Sequence, residues 1–155
     1  MIGGLLWLAA AAATVHSPDV EAHLASLVGD WTRPGKETTY RDHCVWSDRR
    51  AFVVCSLSDN ASGLRVEAIV GYSKDDERYS YESYSNDGKS HVQYGFALGA
   101  TGIVFTDERK VDGTPIRLTT SIIPEPDGRL HMTQDRSVKG GPWQQVGEVY
   151  YVSRK

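Results

Sequence analysis

The residues best placed to do chemistry on one another are Cys44 and Cys55, the only two cysteines in the chain. They flank Val45-Trp46-Ser47-Asp48-Arg49-Arg50-Ala51-Phe52-Val53-Val54, two short apolar runs around a polar reversal, which reads as a β-hairpin. A reversal centred on Arg49 and Arg50 sets Cys44 directly opposite Cys55. With Asp48 to Ala51 as the turn, the two form a non-hydrogen-bonded pair, whose shorter Cα separation suits a bridge. A disulfide is therefore predicted, stabilising the fold by about 2 to 3 kcal/mol and requiring an oxidising compartment. Two buried free thiols are the alternative. A two-cysteine metal site has no supporting His or Cys spacing nearby.

The other reactive residue types form no recognisable centre. The chain contains no Gly-x-Ser-x-Gly elbow, no Ser-x-x-Lys and no Gly-x-x-x-x-Gly-Lys-Ser/Thr run to cradle a nucleotide. His43, His91 and His131 fall on three separate predicted strands, where surface or core roles outweigh metal binding. Asp75-Asp76-Glu77 reads as a solvated turn, because the oxygen-ligand spacing of a calcium loop is missing. No catalytic residue, metal or cofactor is assigned. The remaining lead is aromatic: Trp46, Tyr72, Tyr79, Tyr81, Tyr94, Phe96 and Phe105 lie on predicted strands, and such side chains line apolar ligand cavities. They also fill ordinary cores, which is the competing reading.

The elements that must position these residues follow from composition and pattern. A chain of 155 residues with 40% hydrophobic and 24% charged content supports one core and is too short for two. Its 17 basic and 20 acidic residues nearly cancel, without a dense basic stretch, so nucleic acid is excluded as an expected partner. Residues 1–13 are predicted to be a signal peptide: Ile2 to Ala13 are all apolar or glycine and end in Ala11-Ala12-Ala13. The run is too short to span a bilayer core, which needs roughly 20 helical residues. No Lys or Arg precedes Arg33, so the positive region of such a signal is absent and a start upstream of Met1 is expected. A plain disordered or helical N-terminus is the alternative.

Ser17-Pro18-Asp19-Val20-Glu21 is a helix start, with Ser17 as cap, Pro18 in the first turn and two acids at the positive dipole end. A helix over 18–28 is predicted, stopped by Gly29, with Val20, Leu24, Leu27 and Val28 on one face and the barrel end as its seat. From residue 29 to 155 the pattern becomes short Val-, Ile-, Thr-, Tyr- and Phe-rich runs roughly 11 to 14 residues apart. The predicted strands are Trp31 to Thr32 with Glu37 to Ser47, Phe52 to Ser58, Leu64 to Ser73, Arg78 to Ser85, Ser90 to Leu98, Ile103 to Val111, Ile116 to Pro124, Arg129 to Ser137, and Trp143 to Arg154. Asn86-Asp87-Gly88, Asp112-Gly113 and Pro126-Asp127-Gly128 supply the positive φ of tight hairpins. Strands joined only by hairpins run antiparallel, and closure removes two exposed edges. The expected fold is a single all-β, antiparallel up-and-down barrel with a short N-terminal helix. Alternation puts Val66, Ala68, Val70 and Tyr72 on one face and Val92, Tyr94, Phe96 and Leu98 on another, and both faces are expected to point inward.

Gly29-Asp30-Trp31 on the first strand, with Arg154 ending the last, resembles the Gly-x-Trp and terminal-Arg arrangement of lipocalins and their calycin relatives. That resemblance implies a structural role for Trp31 and Arg154, the guanidinium lying over the indole and closing one end of the barrel. The ordered set of Gly29-Asp30-Trp31, Gly71-Tyr72, Tyr79 with Tyr81, Asp87-Gly88, Asp127-Gly128 and Val149-Tyr150-Tyr151-Val152-Ser153-Arg154-Lys155 resembles an uncharacterised bacterial group, domain of unknown function 1579, over Leu24 to Lys155. It implies a lipocalin-like fold and periplasmic or secreted localisation, and carries no activity with it.

Three function classes follow. A carrier or sensor of a small apolar molecule requires a continuous cavity. An enzyme at the barrel mouth requires His91, His131 or a carboxylate to converge on one pocket. A structural or interaction accessory of the cell envelope requires a filled barrel and an exposed apolar patch.

Overall fold

The computed structural model describes residues 15–154, so the predicted signal segment lies outside the described residues. Helix α1 covers Pro18–Ala25, and the ten strands of the described residues are β1 Gly29–Thr32, β2 Tyr40–Trp46, β3 Phe52–Asp59, β4 Leu64–Ser73, β5 Arg78–Ser85, β6 Ser90–Leu98, β7 Gly102–Val111, β8 Thr114–Pro124, β9 Leu130–Val138 and β10 Gln144–Ser153. Each strand pairs antiparallel with its sequence neighbour, and β10 returns to β1, so the sheet is a closed barrel. The fold is thus lipocalin-like. Closure rests on Trp31 facing Ser153, Thr32 facing Val152, and the Arg154 amide donating to the Asp30 carbonyl at 2.7 Å.

Alternating connections divide the barrel into two ends. At one end lie the turns after β2, β4, β6 and β8, where α1 is tied to the turn after β2 by the Glu21–Arg50 ion pair; at the other lie the connections after β1, β3, β5, β7 and β9. The Ser17 hydroxyl accepts from the Val20 amide, as an N-cap should. Helix α1 stops at Ala25 rather than Val28, because the Leu27 and Val28 amides turn to the Leu24 and Ala25 carbonyls in tight turns instead of continuing the helical ladder. Leu24 and Leu27 are nonetheless buried, and Val20 and Val28 pack against the same core. His23 ties the helix down, its ring nitrogens lying 2.6 Å from the Asp19 carbonyl and 3.1 Å from the Gly99 carbonyl in the β6–β7 turn. No helix among the described residues is long and apolar enough to cross a membrane.

Strand β2 begins at Tyr40, not Glu37, since the Thr39 and Tyr40 amides both donate to the Lys36 carbonyl and curl that segment into a turn. In the β2–β3 hairpin Cys44 pairs with Cys55, the Cα atoms are 4.0 Å apart and the sulfurs are bonded. The Ser47 amide donates to the Phe52 carbonyl at 2.8 Å, which sets the phase of the ladder and leaves Cys44 and Cys55 at a non-hydrogen-bonded pair. The turn is possible because Arg49 and Arg50 both adopt left-handed backbone angles, φ 56° and 55°. The two-residue Asp112-Gly113 loop joining β7 and β8 is left-handed at both positions, the backbone of a tight hairpin turn.

One face is the reverse of the expectation. On β4, Ala68 and Val70 are buried as predicted, but on β6 the stripe Val92, Tyr94, Phe96 and Leu98 points outward and is 37–56% exposed. The inward positions of β6 are His91, Gln93, Gly95 and Ala97, with Gly95 paired to Phe105 and Ala97 to Ile103. The cause is the neighbouring strand. A Cβ on Gly95 would sit 2.6 Å from the Val104 carbonyl oxygen and 2.8 Å from the Phe105 ring, so the Phe105 side chain occupies the space an inward β6 side chain would need. Gly95 and Ala97 on β6 against Phe105 and Ile103 on β7 form one small-against-large packing solution.

The predicted contact between Arg154 and Trp31 is also replaced. The Trp31 indole N–H donates to the Leu27 carbonyl at 2.9 Å and its ring packs against Gly29, where a Cβ would fall 2.7 Å away. Arg154 is exposed, and its charge acts on the Asp30 carboxylate. The guanidinium of Arg33, close after Trp31 in the chain, lies on two aromatic rings, 4.2 Å from the Tyr40 centroid and 5.4 Å from that of Tyr151. The short link from α1 to β1 brings the Leu27 carbonyl to the indole and so takes the place of the expected Arg cap.

Candidate functional site

The inward faces enclose a cavity of about 470 Å³. Its floor is apolar, formed by Leu27 and Trp31 beside α1, the Cys44–Cys55 bridge, Ala68 and Val70 of β4, Tyr81 of β5 and Phe105 of β7. The wall continues through Leu57, Leu64 and Val66 on one side and Ile122, Leu130, Met132 and Tyr151 on the other. Toward the open end it becomes polar, with Ser85, Asp87, Lys89, His91 and Arg109. Lys89 pairs with Asp87 at 2.5 Å and Arg109 with Asp107 at 3.3 Å, so the charges at the mouth are largely matched within the protein. The exposed Asp87 carboxyl is held down to about 2 by hydrogen bonds from Lys89 and Ser85.

The structure sorts the predicted site residues into three groups. Tyr81 and Phe105 line the cavity, their rings 5.9 Å apart. Trp46, Tyr72 and Tyr79 face inward but lie at the helix end, packed against the core. Tyr79 contacts the Tyr72 ring at 5.0 Å and the His23 ring at 5.7 Å, so these aromatics fill the seam between barrel and helix rather than the lumen. Tyr94 and Phe96 stand on the outer surface for the reason given above. Trp31, expected only to be structural, lines the cavity as well. The predicted disulfide is part of the wall. Asp42, Cys44 and Cys55 bring potential ligand atoms within 4.8 Å of one another, but the sulfurs are bonded to each other, so this is no thiolate metal site.

Asp42 was missed by sequence reasoning. It lies on the inward face of β2 with Tyr40, Cys44 and Trp46, directly across from Trp31 on β1 and Leu57 on β3. The legible signal was its phase: once Cys44 points inward, so must a residue two positions away. Burial pushes the Asp42 carboxyl up to about 6, against the pull of Arg33 and His43 and with a small push from Asp30. Among the described residues no N–H or O–H is directed at this carboxyl. Its one polar contact is Cys44 Sγ, 3.6 Å from Oδ1, and a disulfide sulfur has no proton to give.

A folded-state pKa raised from the usual carboxylate value near 3.8 makes protonation favourable to the fold. The contribution is fully present below about pH 4, and it is lost as pH rises through about 6. Asp42→Asn is therefore expected to be more stable than the parent near pH 8, by about 3 kcal/mol, and to unfold at a higher denaturant concentration. The gain should vanish near pH 4. Urea titrations at both pH values check this, and equal parent and variant stability at pH 8 would refute it.

The two histidines named for a barrel-mouth enzyme do not converge. His91 lines the cavity mouth, whereas His131 sits on the outer face, stacked on Tyr150 at 4.3 Å and bracketed by Glu125 at 3.4 Å and Glu148 at 2.8 Å. Compared with known proteins, the chain matches no protein-family model and no curated sequence.

Proposed function

We propose that this protein is an exported carrier or sensor that holds one small, mainly apolar molecule inside its barrel. The observation that supports this reading most is the hollow interior. A space of about 470 Å³ lies within the common size of ligand sites, about 300 to 1,000 Å³, and its apolar floor with a few polar groups is the usual composition of such sites. A barrel serving only as scaffold would fill that space with side chains, since voids in cores are destabilising. Export is supported by the Cys44–Cys55 bridge, which persists in oxidising compartments, and by the apolar run Ile2 to Ala13. Kinship with the domain of unknown function 1579 group belongs to the same proposal and rests on the ordered short motifs.

Native mass spectrometry of protein purified gently from the periplasm tests it, together with titration of nonanol followed by calorimetry. Ala68→Trp places a large ring into the cavity beside the disulfide. It is expected to weaken nonanol binding about tenfold or more while the β-sheet circular dichroism is retained. A protein that carries no small molecule and binds nonanol no better than the variant does would overturn the reading.

One observation favours a second reading, an envelope accessory that docks by its outer wall. The outward stripe Val92, Tyr94, Phe96 and Leu98 on β6 is a contiguous exposed apolar strip of the kind found at contact surfaces.

A further inference from the structure

Resting on the cavity reading, we propose that the bound molecule carries a protonated amine and that Asp42 is the group that receives it. Of the charged side chains lining the cavity, Asp87, Lys89 and Arg109 stand at the open mouth beside partners of opposite charge. Asp42 alone is set in the apolar part of the wall, with Trp31 and Leu57 as its cross-strand neighbours and Cys44 in contact. Its carboxyl receives no hydrogen bond among the described residues. Arg33, the nearby cation, donates to the hydroxyls of Tyr151 at 3.2 Å and Tyr40 at 3.5 Å and is directed into that aromatic sandwich rather than into the cavity.

A carboxylate left unpaired in an apolar wall is unfavourable, and a partner that brings both charge and donors removes most of that cost. An alkylammonium group does so with three N–H donors. Trp31, Tyr81 and Phe105 border the same space, and aromatic side chains suit a cation and an apolar body alike. A carboxylate head group would meet repulsion at Asp42, and a neutral alcohol would find an acceptor without the charge. The geometry therefore orders three ligands of one tail length: amine above alcohol above acid.

The charged and titratable groups acting on Asp42 are Asp30 on β1, Arg33 just after it, and His43 on β2 itself, with the hydroxyls of Tyr40 and Tyr81 also within electrostatic reach. Burial outweighs the attraction of Arg33 and His43, so the carboxyl takes up a proton as the solution is acidified through about 6. An amine then loses its counter-charge and the alcohol does not.

The test is calorimetric titration of nonylamine, nonanol and nonanoate into the full protein and into Asp42→Asn, a substitution of nearly the same shape. Near neutral pH, nonylamine is expected to bind the parent about tenfold or more tighter than nonanoate. In Asp42→Asn the amine should weaken by about tenfold, with nonanol changed by less than about twofold. In the parent, amine affinity should fall on moving from near pH 7.5 to near pH 5 while nonanol affinity holds, a readout that needs no variant. Binding of nonanol without any preference for the amine, or an amine preference untouched by both Asp42→Asn and acid, would overturn the proposal and leave the cavity reading standing. Failure of the amine and the alcohol alike to bind would overturn the cavity reading and this proposal with it.

Discussion

Phe105→Ala is expected to lower the unfolding free energy by about 3 to 5 kcal/mol. Phe105 is 2% exposed, among the largest side chains that are fully buried. It lies over Gly95, beside Tyr81, and forms part of the cavity floor. Truncation removes a ring that no neighbour can replace. Gly95 has no side chain to move in, and the backbone of a closed barrel cannot collapse around the gap without breaking ladder pairs on both sides. The transfer loss and the cavity penalty therefore both apply. Chemical denaturation followed by far-ultraviolet circular dichroism gives the free energy, and Tm should fall by about 10 °C, at roughly 2 to 4 °C per kcal/mol for a chain of this size. A loss below about 1 kcal/mol would mean that the ring is not fixed where the structure has it. The same variant enlarges the floor of the cavity, so it should accept a bulkier apolar ligand than the parent does.

Loss of the Cys44–Cys55 bridge is the second large effect. The bridge spans a sequence separation of 11, and constraining a loop of that length in the unfolded chain stabilises by about 2 to 3 kcal/mol. Reduction by dithiothreitol, or Cys44→Ala with Cys55→Ala, is expected to shift the guanidinium midpoint by that amount. The hairpin itself should survive, because Trp46 with Val53 and His43 with Ser56 pair on either side of the bridge and the Ser47–Phe52 hydrogen bond closes the turn. Retained β-sheet dichroism with a lowered midpoint is the expected pair of results. An unchanged midpoint would show that the denatured chain holds the two residues close without the bond. Because both sulfurs also form part of the cavity wall, the alanine variant should alter nonanol affinity more than reduction does.

How far the sequence carries the fold depends on whether the governing interaction is local. Turn positions were readable from residue type, since left-handed angles at Gly88, Asp112, Gly113 and Gly128 fall where Asn, Asp and Gly cluster. The Ser17 cap and the hairpin register that joins Cys44 to Cys55 were readable for the same reason: each is decided within about a dozen residues. The length of α1 was not, because the chain leaves the helix at Ala25 to place Leu27 and Trp31 against the barrel. The site was half legible. Tyr81 and Phe105 were named from their residue type, but residue type could not separate the cavity floor from the helix seam where Trp46, Tyr72 and Tyr79 lie. Asp42 escaped notice because an acidic residue reads as solvent-facing unless its phase is tied to a neighbour known to be buried.

By itself, then, the order of residues determined the antiparallel meander, its turns and its disulfide, all properties of segments paired with their sequence neighbours. Which face of each strand looks inward was decided only when the strands met. Alternation defines two faces but not their direction, and on β6 the more apolar face went outward because Phe105 from β7 had filled the interior over Gly95. The hollow centre has the same origin. A cavity is the volume left after ten strands have closed and every inward side chain has taken its place, a sum over the whole barrel that no single segment contains.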